Sequence, residues 1–229
     1  MTYQVTAIIL TSLSLSFIGV PEAPAQYFGG VTVLGVNKEY NSGLVERVQI
    51  LWDGKSEPEK IHVIWSAPGI RPFGVFGGVI GGVKLGASAR ESLVEAFRYA
   101  VEQTPAVQHS GTVTLQGTSY LWTTNEGPSA GAAMAVAFMA MFNRVRLRGD
   151  ICLTGALEPG GRIGKVGSIP QKMQAAKTGG CLTVLVPANQ IFDSAWNRNL
   201  QELALDYKIK VQEVDTIDEA YRIMTTPRL

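Results

Sequence analysis

The stretch that decides the fold is NEGPSAG at residues 125–131, followed by the uncharged run AAMAVAFMAMF at residues 132–142. A helix that is apolar on all sides is buried, so this run predicts a helix in the core. Ser129 lies between two glycines and directly after a proline, where this helix is expected to begin. A serine in this setting is either a helix cap or a nucleophile.

The residues before this stretch are mainly β structure by their pattern. Alternation of polar and apolar residues predicts strands at 31–36, 43–50, 60–66 and 111–122. One helix interrupts them, because a capping box with Ser88 at the N-cap and Glu91 three residues later predicts a helix to about residue 103. The glycine-rich residues 68–86 predict a long loop, which either lines a groove or is disordered.

The residues after this stretch alternate between strands and helices. Short apolar strands are predicted near 149–153, 182–186 and 209–214. Between them, Pro170 fits the first turn of a helix, and Asn189 is expected to cap a helix that runs to about residue 206. We therefore predict an α+β fold, with a β-rich N-terminal part and an α/β-like C-terminal half of alternating helices and strands.

The composition limits the classes of function. The chain has 229 residues, 46% of them hydrophobic and 17% charged, with a net charge of +1. This favours one folded domain, and the lack of clustered Lys and Arg argues against nucleic-acid binding. His62, His109, Cys152 and Cys181 are too far apart in the sequence for a metal site, so we predict no metal and no cofactor. The two cysteines each begin an apolar strand and are either bridged or two buried thiols.

The N-terminus has the pattern of a targeting segment. Residues 5–20 are apolar or small, and Ala23 and Ala25 fit signal-peptidase cleavage after Ala25. We predict a signal peptide over residues 1–25 and a folded domain over residues 26–229. The alternatives are an uncleaved membrane anchor and a cytosolic protein. An exported protein, periplasmic, extracellular or anchored facing outward, is the expectation.

A nucleophilic Ser129 needs a base. The GPSAG sequence matches the G-x-S-x-G elbow of α/β-hydrolases, but those enzymes place the histidine after the serine, whereas His62 and His109 both precede Ser129. Lysine is the other base that serves a serine. Lys172 lies in a predicted helix among apolar residues, where burial would lower its pKa toward about 7 to 8. The alternative is an ordinary surface lysine.

Several ordered motifs resemble the proteolytic domain of the Lon protease family. The sequence at 125–131 is similar to that family's serine motif, and Thr154-Gly155 is similar to its Thr-Gly strand end. The sequence GRIGKVGSIPQKMQAA at 161–176 resembles the stretch that carries its catalytic lysine. The resemblance extends from about Leu115 to the end of the chain. In pattern it is nearest to exported Lon-like proteins that carry a PDZ domain, although no PDZ domain fits in this sequence.

The resemblance implies a serine endopeptidase that acts on unfolded or flexible polypeptides. Ser129 would be the nucleophile and Lys172 the general base, with Thr154, Glu126, Gly127 and Pro128 as supporting residues. Glu126 stands where the family usually has aspartate. The family further implies a homo-oligomer, commonly a hexameric ring. Because this sequence has no Walker A loop, we expect ATP-independent activity. The competing hypotheses are a catalytically silent Lon-like module for binding or assembly, and a lipase or esterase.

Overall fold

A mixed sheet of eight strands forms the centre of the fold. The computed structural model describes residues 27–37, 39–54, 61–66, 73–74, 86–117, 127–193, 196 and 198–225. The strands in these ranges are β1 (Tyr27–Asn37), β2 (Ser42–Trp52), β3 (Ile61–Ser66), β4 (Phe73–Gly74), β5 (Gly111–Gly117), β6 (Ile151–Leu153), β7 (Ala156–Glu158), β8 (Arg162–Gly164), β9 (Thr183–Pro187), β10 (Phe192–Asp193), β11 (Arg198–Asn199) and β12 (Lys210–Val214).

Helices pack on the sheet. Those in the described ranges are α1 (Ala87–Gln103), α2 (Gly131–Phe142), α3 (Ile169–Thr178), α4 (Leu200–Tyr207) and α5 (Ile217–Thr225). A short 3-10 turn over Pro159–Gly161 connects β7 to β8. None of the described helices combines the length and the apolar character that crossing a bilayer requires.

The two halves of the chain share one sheet. Its strand order is β12-β9-β6-β1-β2-β5-β3-β4. Strands β6, β9 and β12 are parallel, and β6 joins the N-terminal hairpin through the parallel pair of Val33 with Leu153. Strands β1 and β2 are antiparallel along their full length. The predicted α+β fold, with its β-rich first part and alternating second part, is therefore confirmed. The topology places the residue after β6, Thr154, at the carboxyl edge of the parallel strands.

Helix α2 is the core element, as its sequence predicts. All twelve of its residues are buried. Phe138 packs edge-on against Phe97 of α1, with ring centroids 5.1 Å apart, and Phe142 packs against Trp52 of β2 at 5.3 Å. Burying this many apolar side chains fixes the direction of α2, and so places its N-terminus, where Ser129 lies, relative to the sheet.

Two predicted helix caps are wrong. Helix α1 begins at Ala87 with Gly86 as its N-cap and without a side-chain cap, so Ser88 lies inside the first turn. Asn189 does not cap a helix; its φ is +59° and it lies in the loop that leads to the β10–β11 hairpin. Asn199 caps α4 instead, since its side chain accepts a hydrogen bond from the Gln201 N–H at 2.8 Å. Both residues suit caps and turns alike, and tertiary contacts decide between these roles.

Cys152 and Cys181 form a disulfide, which resolves the open alternative in favour of a bridge. Cys152 lies on β6, and Cys181 lies between α3 and β9, which is parallel to β6. Both cysteines belong to the apolar cluster that also contains Met173 and Ala176 of α3. The bridge therefore connects β6, which Thr154 follows, with the C-terminal end of α3, the helix that carries Lys172.

Removing the bridge is expected to lower the stability of the domain. The two cysteines are 29 residues apart, and the entropy of closing a loop of that length corresponds to about 3 to 4 kcal/mol. We expect a Cys152→Ala, Cys181→Ala double variant to lose about 2 to 4 kcal/mol of unfolding free energy in urea titrations. The same titration of the wild type after reduction serves as the comparison. Unchanged stability in both would contradict the prediction.

Three predictions fall on residues outside the described ranges. They are the signal peptide at 1–25, most of the glycine-rich loop at 68–86, and the supporting role of Glu126. They stay predictions from the sequence.

Candidate active site

Ser129 lies in the turn that enters α2. Gly127 has a φ of +94°, a left-handed conformation that glycine adopts without strain. The Gly131 N–H donates to the Pro128 carbonyl at 2.9 Å, which closes the turn around Ser129. The N-cap of α2 is Ala130, and no side chain caps it. Ser129 is therefore not the cap of this helix. Of the two roles that the sequence allows, cap and nucleophile, the role of nucleophile remains.

Lys172 is buried on the inner face of α3. Only 3% of the residue is exposed, among the apolar residues Ile169, Met173 and Ala176. Burial disfavours the charged ammonium and lowers the pKa of Lys172 from 10.5 to about 8. Of the two orientations that the sequence left open, the inward one is observed, and the surface-lysine alternative is excluded. A substantial fraction of this amine is neutral near pH 8, so it can accept a proton.

Thr154 connects the lysine to the serine. Lys172 Nζ donates a hydrogen bond to Thr154 Oγ1 at 3.1 Å. Thr154 Oγ1 in turn donates to the Ser129 carbonyl oxygen at 3.4 Å, and the Gly155 N–H donates to the same oxygen at 3.0 Å. Thr154 is fully buried. Residues that are 43 positions apart in the sequence, Ser129 and Lys172, are therefore joined through one hydroxyl.

The directions of these hydrogen bonds matter for the chemistry. Thr154 accepts from a lysine N–H and donates its own proton to the Ser129 carbonyl. The lone pair of a neutral Lys172 amine is consequently not used by Thr154. It is left for another donor, and the hydroxyl of Ser129 is the donor that a serine–lysine dyad requires.

Two backbone N–H groups of the serine loop have no acceptor among the described residues. The Gly127 N–H donates to Ser88 and the Gly131 N–H donates to Pro128, which itself has no N–H. Hydrogen bonds among the described residues use neither the Ser129 N–H nor the Ala130 N–H. Both groups precede the first turn of α2, where the helix dipole favours negative charge. Such a position suits the oxyanion of a tetrahedral intermediate.

The start of α3 is held by a side chain that sequence reasoning did not identify. The Gln190 amide accepts from the Val166 N–H and donates to the Val166 carbonyl, both at 3.0 Å. Ser168, two residues later, has a φ of +57°, and its carbonyl accepts from the Lys172 N–H at 3.2 Å. Gln190 thus holds the loop that precedes α3, the helix that carries Lys172. No sequence spacing signals this contact, because it depends on the packing of β9 beside α3.

His109 cannot serve Ser129. Its Nε2 lies 2.8 Å from Thr104 Oγ1, and its ring packs edge-on against Phe142 at 4.5 Å. Phe142 ends α2, whereas Ser129 precedes its first residue. A helix of this length separates the two ends by about 17 Å.

The structure thus brings several of the predicted site residues close together. Ser129, Thr154 and Lys172 meet, and Gly127 and Pro128 shape the turn that carries the serine. This arrangement contains the parts that a serine-type peptidase with a lysine base requires: a serine at the start of a buried helix and a buried lysine linked to it through Thr154.

Comparison with known proteins shows a similarity to one family. Residues 121–226 match the family model described as the Lon protease (S16) C-terminal proteolytic domain. The chain is 32% identical over 106 residues to the Lon protease of Acinetobacter baumannii (strain AB307-0294). It is 33% identical over 99 residues to the Lon protease of Haemophilus influenzae and 37% identical over 73 residues to that of Xanthomonas oryzae pv. oryzae.

The likeness covers part of each protein. The three alignments span 45%, 42% and 32% of this chain, and 12%, 12% and 9% of the respective relatives. The chain therefore spans only about a tenth of the length of the Lon proteases that it matches.

Proposed function

We propose that this protein is a serine endopeptidase that hydrolyses peptide bonds of unfolded or flexible polypeptides without ATP. Ser129 is the nucleophile and Lys172 is the general base. The observation that carries the proposal is the burial of Lys172 together with its hydrogen bond to Thr154, which also contacts the carbonyl of Ser129. A protein gains no stability from a desolvated lysine of this kind, so its cost is best explained by catalysis.

In the first half of the reaction, Ser129 is acylated. Its Oγ attacks the carbonyl carbon of the scissile peptide bond while neutral Lys172 takes the hydroxyl proton. The oxygen of the tetrahedral intermediate carries the negative charge and binds the N–H groups at the start of α2. When the intermediate collapses, the C–N bond breaks and the Lys172 ammonium returns the proton to the leaving amine.

In the second half, water releases the product. Lys172 is neutral again and takes a proton from a water molecule, whose oxygen attacks the acyl carbon. The C–O bond to Ser129 then breaks, and the lysine returns the proton to Ser129 Oγ. Thr154 keeps the amine oriented through both halves, since its hydroxyl holds one lysine N–H throughout.

The test measures hydrolysis by the purified protein without nucleotide. We expect cleavage of unfolded casein at a rate that ATP and Mg²⁺ leave unchanged, and labelling of Ser129 by a fluorophosphonate, mapped by mass spectrometry. Ser129→Ala should abolish both cleavage and labelling while its thermal unfolding stays that of the wild type. Cleavage that survives in Ser129→Ala would contradict the assignment of the nucleophile.

The competing hypotheses predict other outcomes of the same assay. A silent Lon-like module would bind unfolded casein without cleaving it and without phosphonate labelling. An esterase would hydrolyse short-chain esters in a Lys172 variant as fast as in the wild type. Stimulation of cleavage by ATP would contradict the proposed independence from nucleotide.

We also propose that the protein is exported and self-associates. The Cys152–Cys181 disulfide supports export, because such bonds persist in oxidising compartments. N-terminal sequencing of the protein from fractionated cells should begin at Gln26, whereas an intact N-terminus in a membrane fraction would indicate an anchor. Sedimentation velocity distinguishes the ring suggested by the family resemblance from a monomer.

A further inference from the structure

Two hydroxyls of helix α1 contact the peptide units that precede Ser129. Ser88 Oγ accepts a hydrogen bond from the Gly127 N–H at 2.9 Å. Ser92 Oγ donates a hydrogen bond to the Pro128 carbonyl at 3.2 Å. These contacts link residues that are 39 and 36 positions apart in the sequence. One hydroxyl therefore serves as acceptor and the other as donor for two consecutive residues of the serine loop.

The spacing of the two serines suits this arrangement. Residues four positions apart lie on the same face of a helix, one turn above the other. Ser88 stands in the first turn, where serine commonly caps its own helix, but the N-cap of α1 is Gly86 and no side chain caps it. The Ser88 hydroxyl contacts the loop of Ser129.

Helix α1 lies so close to the start of α2 that there is no room for a side chain at Gly131. A Cβ added to Gly131 would lie 2.4 Å from Ser92 Oγ, much closer than non-bonded atoms tolerate. The Pro128 carbonyl also accepts the Gly131 N–H at 2.9 Å, so Ser92 and Gly131 share this oxygen. Helix α1 thereby fixes the orientation of the peptide plane that enters Ser129.

The opposite side of Ser129 is held by different residues. The Gly155 N–H donates to the Ser129 carbonyl at 3.0 Å, and the Ala132 N–H donates to the Gly155 carbonyl at 3.1 Å. These bonds fix the peptide unit that follows Ser129. Within the described residues, the Pro128 carbonyl would keep only the turn bond from the Gly131 N–H if the contacts from α1 were removed. The two sides together define the direction of the serine side chain and of its N–H group.

We infer that Ser88 and Ser92 are positioning residues, a two-hydroxyl clamp that holds the backbone before Ser129 in the orientation that nucleophilic attack requires. The inference rests on the proposed peptidase function. Misplacing a nucleophile by about 1 Å costs on the order of 100-fold in rate, so hydroxyls without contact to substrate can still influence turnover strongly. The clamp acts on the placement of Ser129 and leaves the environment of Lys172 unchanged.

The experiment compares Ser88→Ala, Ser92→Ala and the double variant with the wild type on unfolded casein and a fluorogenic peptide. We expect kcat to fall about 3- to 10-fold in each single variant and about 10- to 100-fold in the double variant, with KM within about twofold of the wild type. The rate constant of fluorophosphonate labelling should fall in parallel with kcat. The midpoint of the pH–rate profile should stay in place.

Two further variants separate positioning from general stability. Thr225→Ala removes a helical hydroxyl that bonds the Tyr221 carbonyl at 2.7 Å on α5 and should leave kcat at the wild-type value. Ser88→Thr keeps the acceptor oxygen and should restore most of the kcat lost in Ser88→Ala. Rates are referred to folded protein, determined from thermal unfolding of each variant.

The outcomes separate the clamp from the function on which it rests. If the double variant keeps the kcat of Thr225→Ala while Ser129→Ala is inactive, the clamp is overturned and the peptidase stands. A loss that lies wholly in KM, or one accounted for by the unfolded fraction, also overturns the clamp. If the wild type itself cleaves nothing and resists labelling, the peptidase proposal fails, and the positioning role fails with it.

Discussion

Lys172→Met is expected to lower kcat/KM for peptide hydrolysis by about 1000-fold or more and to stabilise the fold at the same time. Methionine keeps most of the volume of the lysine side chain but cannot accept the proton of Ser129. General-base catalysis contributes about 100- to 10,000-fold, and dyad members act as a unit, so little activity should remain.

The gain in stability follows from the buried charge. Lys172 has a pKa of about 8 in the fold and 10.5 as a free side chain, so at pH 7 its protonated form costs the folded state about 3 kcal/mol. The variant also removes the Lys172 N–H whose hydrogen bond Thr154 Oγ1 accepts. This loss lowers the free energy of unfolding by about 1 kcal/mol. We expect a net rise of about 2 kcal/mol in the free energy of unfolding, measured by urea titration.

The matched control lies on the same helix. Lys177 of α3 is exposed and donates to the Tyr207 carbonyl. Lys177→Met should keep the activity of the wild type, because this side chain is directed away from Ser129. An active Lys172→Met, or equal losses in both variants, would remove Lys172 from the role of base.

Activity should rise steeply with pH and level off above about 8. Only the neutral amine of Lys172 accepts the proton of Ser129, and burial lowers the pKa of Lys172 to about 8. Below this midpoint, kcat/KM should fall tenfold per pH unit, so the rate at pH 6 should be about 1% of the plateau. Initial rates on a fluorogenic peptide from pH 5.5 to 9.5 measure this profile.

The lowered pKa of Lys172 also makes the stability of the fold depend on pH, and this effect can be measured without an activity assay. Between pH 8 and 10.5 the unfolded chain holds a proton on Lys172 that the folded chain has lost. The contribution of Lys172 to the free energy of unfolding therefore rises with pH between pH 8 and 10.5 and is constant below pH 8. The difference between wild type and Lys172→Met should shrink over the same interval. A pH–rate midpoint near 10, together with a stability difference between wild type and Lys172→Met that does not vary with pH, would show that Lys172 is not desolvated in solution.

Local patterns of the sequence predict much of the fold. The uncharged run at 132–142 predicts the buried helix, and the alternation at 43–50 predicts β2. Pro170 predicts the start of α3, because proline acts through the backbone conformation of its own position. Such signals are local, so they hold before any tertiary contact is known.

The two wrong cap predictions both concern short polar side chains. Ser88 has the sequence context of a cap, yet its hydroxyl contacts Gly127. Asn189 has the same appearance, yet Asn199 caps the helix. A short polar side chain has several local partners of similar energy, and only the packed structure selects among them.

The sequence by itself determined that Ser129 opens a buried helix, that Lys172 follows on an amphipathic one, and that both histidines precede the serine. Only the tertiary structure decided that Lys172 is directed inward, that Thr154 joins it to the serine, and that α1 holds the loop before Ser129. The physical reason is that desolvation and side-chain hydrogen bonds depend on neighbours distant in the chain, whereas helix boundaries and apolar faces depend on residues within a few positions.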